Sequence, residues 1–213
     1  MTNSFFSPQL RGALAIAVGA GLWGLFWIPL RYLSEAGFGP FWSAAMAMGS
    51  GLPVALLAAA KWGTWRPDHV RWMVLVGIGI GISEVSYFYA VVSTDVIRAI
   101  FLFYMLPIWA TLVDRVVFGV RLNPWRAFAI LLAFGGLWLL LGGDGGVPVP
   151  SNAGDWAGLV AGFFWGSTLS MVRGRAEVDA FWNVASAIFF GAAFAAVAAL
   201  LIGSVAFSEG ALT

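Results

Sequence analysis

Long stretches of apolar residues, separated by short polar segments, run from one end of the chain to the other. Each stretch is close to the ~20 residues that a helix needs to cross a hydrocarbon core roughly 30 Å thick. Apolar and polar residues do not alternate within them, which favours helices over strands, and a helix satisfies its own backbone hydrogen bonds in lipid. The pattern predicts seven transmembrane helices, over residues 12–33, 40–60, 72–92, 95–117, 124–141, 156–172 and 181–204. The predicted fold class is therefore an all-α membrane protein, a multi-span helical bundle.

Composition strengthens this prediction and narrows the function. The chain is 61% hydrophobic and 10% charged, whereas a soluble domain carries about 25% charged residues. A net charge of +1 predicts no nucleic-acid partner, and the expected partners are membrane lipid and a small-molecule substrate. The absence of cysteine excludes disulfides and thiolate metal sites, and His69 has no second ligand at metal-binding spacing. No nucleophile and base pair stands out, so neither an enzyme nor a metal or other cofactor is predicted.

The distribution of Lys and Arg predicts the orientation. If the N-terminus is cytoplasmic, nine basic residues fall on the inside and two on the outside, as the positive-inside rule requires. The outside pair is Arg31 and Arg98. The inside residues are Arg11, Lys61, Arg66, Arg71, Arg115, Arg121, Arg126, Arg173 and Arg175. We expect a multi-pass protein of the bacterial inner membrane.

An internal repeat relates the first two predicted helices to the last two. An offset of 142 residues places Trp23 on Trp165, and an offset of 140 places Trp42 on Trp182. Five spans separate equivalent points, and this odd number predicts that the two copies are inverted across the membrane. Inverted repeats are typical of transporters that bind solute at the repeat interface. Chance similarity between Gly-, Ala- and Trp-rich helices is the alternative.

Most charged residues lie at the ends of the predicted spans or between them, but two lie further inside. Glu84 is within the third span and Arg98 one turn into the fourth. A charge at the bilayer centre costs at least about 2.5–3.5 kcal/mol on insertion scales, so something must compensate it. We expect these two side chains to meet. They could bind the ammonium and carboxylate of an amino acid, with Glu84 also able to carry a coupling proton, or they could simply neutralise each other.

Aromatic residues and prolines complete the candidate site. The helical wheel and the repeat predict substrate contacts from Tyr87, Phe101, Trp23 and Trp165, although aromatic residues at this spacing also serve as packing. Two prolines lie within spans and are predicted to kink or hinge their helices. These are Pro29 and Pro107.

Several motifs resemble a known family. The first helix reads LWGLFWIPLR, the sixth FFWGSTLSMVR, and the fourth with its exit FLFYMLPIWATLVDRVVFGVRLNPWRA. They are similar to the drug/metabolite transporter superfamily, EamA type, and within it to the YddG-like exporters of aromatic amino acids. The resemblance implies ten helices in two inverted five-helix repeats and export through a central cavity. On that pattern residues 1–143 form the first repeat, 144–154 a Gly- and Pro-rich linker, and 155–213 two helices of an incomplete second repeat.

Two functions follow as expectations. The first is a secondary transporter that exports amino acids or related small metabolites. The alternative is a non-transporting membrane fragment or partner subunit, because counterparts of helices 8–10 do not appear in the sequence. The oligomeric state is not predicted.

Overall fold

The computed structural model describes residues 7–121, 123–140 and 149–202, and helices joined by short connections make up most of these residues. The prediction of an all-α, multi-span membrane protein is confirmed. The α-helices of the described chain are α1 Pro8–Leu25, α2 Trp27–Glu35, α3 Pro40–Trp62, α4 Val70–Ser93, α5 Val96–Phe103, α6 Leu106–Val116, α7 Pro124–Leu140, α8 Ala153–Gly174 and α9 Ala180–Ile202. A short 3-10 helix, Pro67–His69, precedes α4.

Five helical segments within the described ranges are long and apolar enough to cross a membrane. They are Gly12–Glu35, Pro40–Trp62, Pro67–Ser93, Val96–Val116 and Ala180–Ile202. The two remaining predicted spans form α7 and α8, which lie at the predicted positions. The predicted ends at residues 141 and 204, and residues 144–148 of the predicted linker, lie outside the described residues.

Two of the predicted spans are each built from two helices. α1 gives way to α2 at Phe26, three residues before Pro29, and α5 ends at Phe103, four residues before Pro107. A proline clashes with the carbonyl four residues earlier and cannot donate to it, which explains interruptions at these points. Pro53, by contrast, lies inside an unbroken α3.

The centre of the bundle is α4, which packs against α8 on one face and α9 on another. Small residues permit the close approach. A methyl group on Gly81 would fall 2.8 Å from the backbone nitrogen of Gly191, and one on Gly79 would collide with the Thr168 hydroxyl. The contact with α8 also includes a hydrogen bond of 2.8 Å from the Ser83 hydroxyl to the Ala161 carbonyl.

A row of glycines along α8 packs against α5 and α6. A methyl group on Gly158 would lie 3.1 Å from the Ala99 carbonyl oxygen, and one on Gly162 would lie 2.5 Å from that of Phe103. About two turns beyond Gly162, the Ser170 hydroxyl donates to the carbonyl of Ala110 at 3.1 Å. These contacts run along both α5 and α6. α8 therefore extends as far through the bundle as the α5–α6 segment, although it is less apolar than the other spans.

The order of these contacts fixes the relative directions of the helices. Residue numbers rise together along α8 and the α5–α6 segment, so the two run parallel. Residue numbers rise in opposite senses along α4 and α8, so these two helices are antiparallel. They rise together along α4 and α9, where the Ser186 hydroxyl donates to the Met73 carbonyl at 2.7 Å, so these two helices are parallel. These directions agree with seven successive crossings.

Candidate functional site

A cavity of about 580 Å³ lies beside α4, roughly at the middle of the bundle. We call it the Glu84 cavity. Its walls come from α1, α3, α4, α8 and α9, and its rim is open where Leu22 and Val184 are more than half exposed. The lining residues are Gly19, Leu22, Trp23, Phe26, Ala47, Met48, Gly51, Ile80, Glu84, Trp165, Val184, Ala187 and Ile188.

Glu84 is the one ionisable side chain in this lining. It is only 6% exposed, and its Oε2 atom has no hydrogen-bond partner among the described residues. A buried polar atom without a partner forfeits about 1–3 kcal/mol, more if it is charged. Glu84 therefore lines an otherwise apolar cavity and carries a buried acceptor oxygen that no described group satisfies.

Aromatic rings form part of the cavity wall. The ring centroids of Trp23 and Trp165 lie 5.6 Å apart, and Trp23 also stacks on Phe26 and on Tyr87, each at 5.9 Å. Tyr87 is buried behind Trp23 and does not itself line the cavity. An apolar aromatic wall with one placed polar group is the usual design of a small-molecule site.

Residues that the predicted repeat would equate line the same cavity. Trp23 and Trp165 both line it, and so do Ala47 and Ala187, which the 140-residue offset relates. Met48 and Ile188, related by the same offset, line it as well.

The predicted meeting of Glu84 and Arg98 is wrong. Arg98 Nη2 lies 2.6 Å from Oδ2 of Asp155, and the same nitrogen donates to the Val149 carbonyl at 3.1 Å and to Ser151. Asp155 lies in the first turn of α8, next to the start of α5, whereas Glu84 lies deep within α4. The Arg98 side chain, 35% exposed, therefore lies at the end of the bundle and not in the Glu84 cavity.

The remaining predicted residues are also outside the cavity lining. Phe101 is buried on α5 and makes an edge-to-face contact with Phe134 of α7, with ring centroids 6.1 Å apart. Pro29 and Pro107 lie just after the two helix interruptions. Among the described residues, no group of three or more His, Asp and Glu side chains could hold a metal ion.

Sequence reasoning missed several lining residues, including Met48, Ile188 and Phe26. A signal for the first two was present, because they follow the repeat-related alanines Ala47 and Ala187. Phe26 had no such signal, since its position in the cavity depends on the interruption between α1 and α2.

Comparison with known proteins identifies the family. Residues 10–142, more than half of the chain, match the EamA-like transporter family. The chain is a member of the EamA-like transporter family. No significant match is found among curated proteins or among solved structures.

Membership defines the general activity. EamA-like proteins are membrane transporters of small molecules, which agrees with the apolar helices and with a cavity large enough for a small solute. In this EamA-like chain, Glu84, Trp23 and Trp165 are the predicted site residues that line the cavity. The structure does not bring Arg98, Tyr87 or Phe101 into that lining.

Proposed function

We propose that this EamA-like protein is a secondary transporter that exports amino acids or related small metabolites, and that the Glu84 cavity holds the solute. The observation that carries the proposal is that Glu84 lines a cavity of about 580 Å³ while its buried Oε2 has no hydrogen-bond partner among the described residues. A carboxylate buried without a partner must be compensated by a cation or a proton. A protonated amino group of the solute supplies the cation. When the solute is absent, a proton on Glu84 neutralises the carboxylate, and this exchange would couple solute export to proton movement.

The aromatic wall supports a solute with a flat apolar part. Trp23 and Trp165 lie 5.6 Å apart at the edge of the cavity, and Phe26 stacks on Trp23. Stacked and edge-to-face ring contacts contribute about 0.5–1.5 kcal/mol each beyond burial. Aromatic amino acids, the solutes of the YddG-like exporters, would fit this wall with the ammonium towards Glu84.

The proposed transport cycle uses an inverted repeat, with residues 1–143 as the first unit, 144–154 as the linker and 155–213 as the start of the second. Support comes from α3 and α9, the proposed equivalents, which pack antiparallel: Gly191 lies against Met48, whereas Trp62 lies against Phe181. A solute between inverted units can be exposed to each side in turn. The interruptions before Pro29 and Pro107 are proposed hinges, and the N-terminus is proposed to be cytoplasmic in the bacterial inner membrane.

The test is Glu84→Gln in proteoliposomes loaded with labelled aromatic and aliphatic amino acids. Gln keeps the shape but cannot bind an ammonium as an ion pair. Hydrogen bonds to a charged group contribute about 1.5–3 kcal/mol, so we expect efflux to fall roughly 10- to 100-fold. The elution profile in detergent should be unchanged, because Oε2 makes no hydrogen bond to the described residues.

Glu35→Gln is the matched control, since Glu35 is exposed at the end of α2 and lies outside the cavity. It should transport like the unaltered protein. Efflux by Glu84→Gln that equals the control at every pH would refute the role of Glu84. Absence of transport by the unaltered protein, for every labelled amino acid, would refute amino-acid export.

A further inference from the structure

A second cavity of about 450 Å³ adjoins the first, and we call it the Asn183 cavity. Four residues line both cavities, namely Ile80, Trp165, Val184 and Ala187. The other lining residues of the Asn183 cavity are Val76, Leu169, Val172, Arg173, Ala176, Val178, Ala180 and Asn183. The two spaces therefore share a wall and meet beside the Trp165 ring.

Asn183 repeats the chemical situation of Glu84. Its side chain is buried at 8% exposure and lines the cavity, and its Oδ1 atom has no hydrogen-bond partner among the described residues. A buried amide oxygen left unpaired lowers stability. Both unpartnered atoms, Glu84 Oε2 and Asn183 Oδ1, are acceptors, so both lack a donor.

The two acceptors lie at different depths. Gly81 of α4 packs against Gly191 of the parallel helix α9. At 1.5 Å per residue, Asn183 lies about 12 Å on one side of this contact and Glu84 about 4.5 Å on the other. The two cavities together thus cover about 16 Å, roughly half of a hydrocarbon core. The Asn183 end is the one where α8 ends, beside Arg173.

Resting on the proposed function, we propose that Asn183 forms a second solute station on the path between the Glu84 cavity and the Arg173 end, and that both stations hold the solute by a hydrogen-bond donor, in particular a primary amine. A carboxylate alone brings only acceptors, which leave Oδ1 and Oε2 unsatisfied. An amine brings N–H donors that can satisfy the Asn183 Oδ1 atom and the Glu84 Oε2 atom in turn. The path therefore selects amines over acids of the same size and shape.

The chain has no cysteine, so single-cysteine variants report on the path without a background. Ala187→Cys places a thiol on the wall that both cavities share. Val197→Cys on the same helix is the control, because Val197 is more than half exposed but lines neither cavity. In membrane vesicles, the impermeant cationic thiol reagent MTSET should modify Ala187→Cys when added from the Arg173 side and should leave Val197→Cys unmodified. Equal modification of both, or of neither, would overturn the path.

Protection of Ala187→Cys tests the selectivity. Phenethylamine should slow the reaction with MTSET, and 3-phenylpropionate, which carries a carboxylate instead, should not. Adding Asn183→Leu should weaken protection by phenethylamine roughly fivefold, the loss expected for one hydrogen bond. Protection by the acid, or protection unaffected by Asn183→Leu, would overturn the role of Asn183.

These measurements do not depend on Glu84→Gln. Suppose that phenethylamine protects Ala187→Cys and that Glu84→Gln retains full efflux. This result would refute the proposed function of Glu84 and would still support the Asn183 station. Loss of efflux by Glu84→Gln without modification of Ala187→Cys would refute the Asn183 station alone.

Discussion

Asp155 and Glu84 are both buried carboxylates, and the protein treats them in opposite ways. Asp155 is 0% exposed and accepts five hydrogen bonds, from the Arg98 Nη2 and Nε atoms, the Thr94 hydroxyl, and the backbone and hydroxyl of Ser151. Glu84 is almost equally buried, yet its Oε2 has no partner among the described residues.

This difference in hydrogen bonding indicates that the Asp155 carboxylate holds helices together. Asp155 joins the end of α4, the start of α5 and the start of α8, and each of its donors comes from the protein itself. Glu84 instead lines a cavity, and on the proposed function its donor is the solute. A polar group that folding leaves unsatisfied lowers stability, and such a group is retained where function needs it.

The largest effect is expected from Asp155→Ala. This change leaves the Arg98 guanidinium without its carboxylate and removes the acceptor for Thr94 and Ser151. Breaking a buried ion pair costs about 3–5 kcal/mol, and Arg98 is partly exposed, so we expect a loss near 3 kcal/mol. An SDS unfolding titration in mixed micelles measures it.

Glu177→Ala is the control for Asp155→Ala, because Glu177 is exposed and pairs with Arg175 at the surface at 3.3 Å. Exposed ion pairs contribute little to stability because solvent screens them, so the unfolding midpoint of Glu177→Ala should hardly move. Equal midpoints for the two variants would show that the Asp155 cluster does not hold the helices together.

A smaller effect of opposite sign is expected from Glu84→Leu. Leucine removes an unsatisfied buried oxygen and fills an apolar wall, which should raise the free energy of unfolding by about 1 kcal/mol while transport is lost. The same SDS titration, combined with the efflux assay, checks both parts. A destabilised Glu84→Leu variant would mean that Glu84 is structural, like Asp155.

The smallest effect concerns a third carboxylate, Asp179, in the connection between α8 and α9. It accepts hydrogen bonds from the backbone N–H groups of Thr64, at 2.9 Å, Trp182 and Phe181. These hydrogen bonds hold the pKa of Asp179 below its usual range, and the bond from the Thr64 N–H makes the largest contribution. A lowered pKa means that the carboxylate stabilises the fold above the ordinary aspartate pKa of about 4, and that this contribution is lost as the pH falls through the folded-state value.

Acidification below about pH 4 should therefore loosen the contact between Asp179 and Thr64. Amide hydrogen exchange at Thr64, corrected for the intrinsic rate, measures it. Asp179→Asn keeps an acceptor oxygen but does not titrate, so its corrected exchange should be flat in this range. A pH dependence that persists in Asp179→Asn would assign the effect to another group.

Much of the architecture is readable from the sequence because a bilayer imposes it. Apolar length predicted the helices, and the contacts of α8 with α4 and with α5–α6 have the directions that seven crossings require. The glycines at 154, 158, 162 and 166 also carry a readable signal, because a spacing of four places them along one helix face. Prolines were less informative, since α3 continues through Pro53 whereas helices are interrupted before Pro29 and Pro107.

Glu84 and the paired tryptophans Trp23 and Trp165 were evident in the sequence, because a charge within an apolar run and a repeated tryptophan stand out without coordinates. The partner of Arg98 was not. Depth along a helix follows from counting residues, but the direction in which a long side chain points depends on which helix packs beside it. Only the tertiary structure places Asp155 next to Arg98 and leaves Glu84 and Asn183 facing cavities, because contacts between distant segments form only when the helices pack.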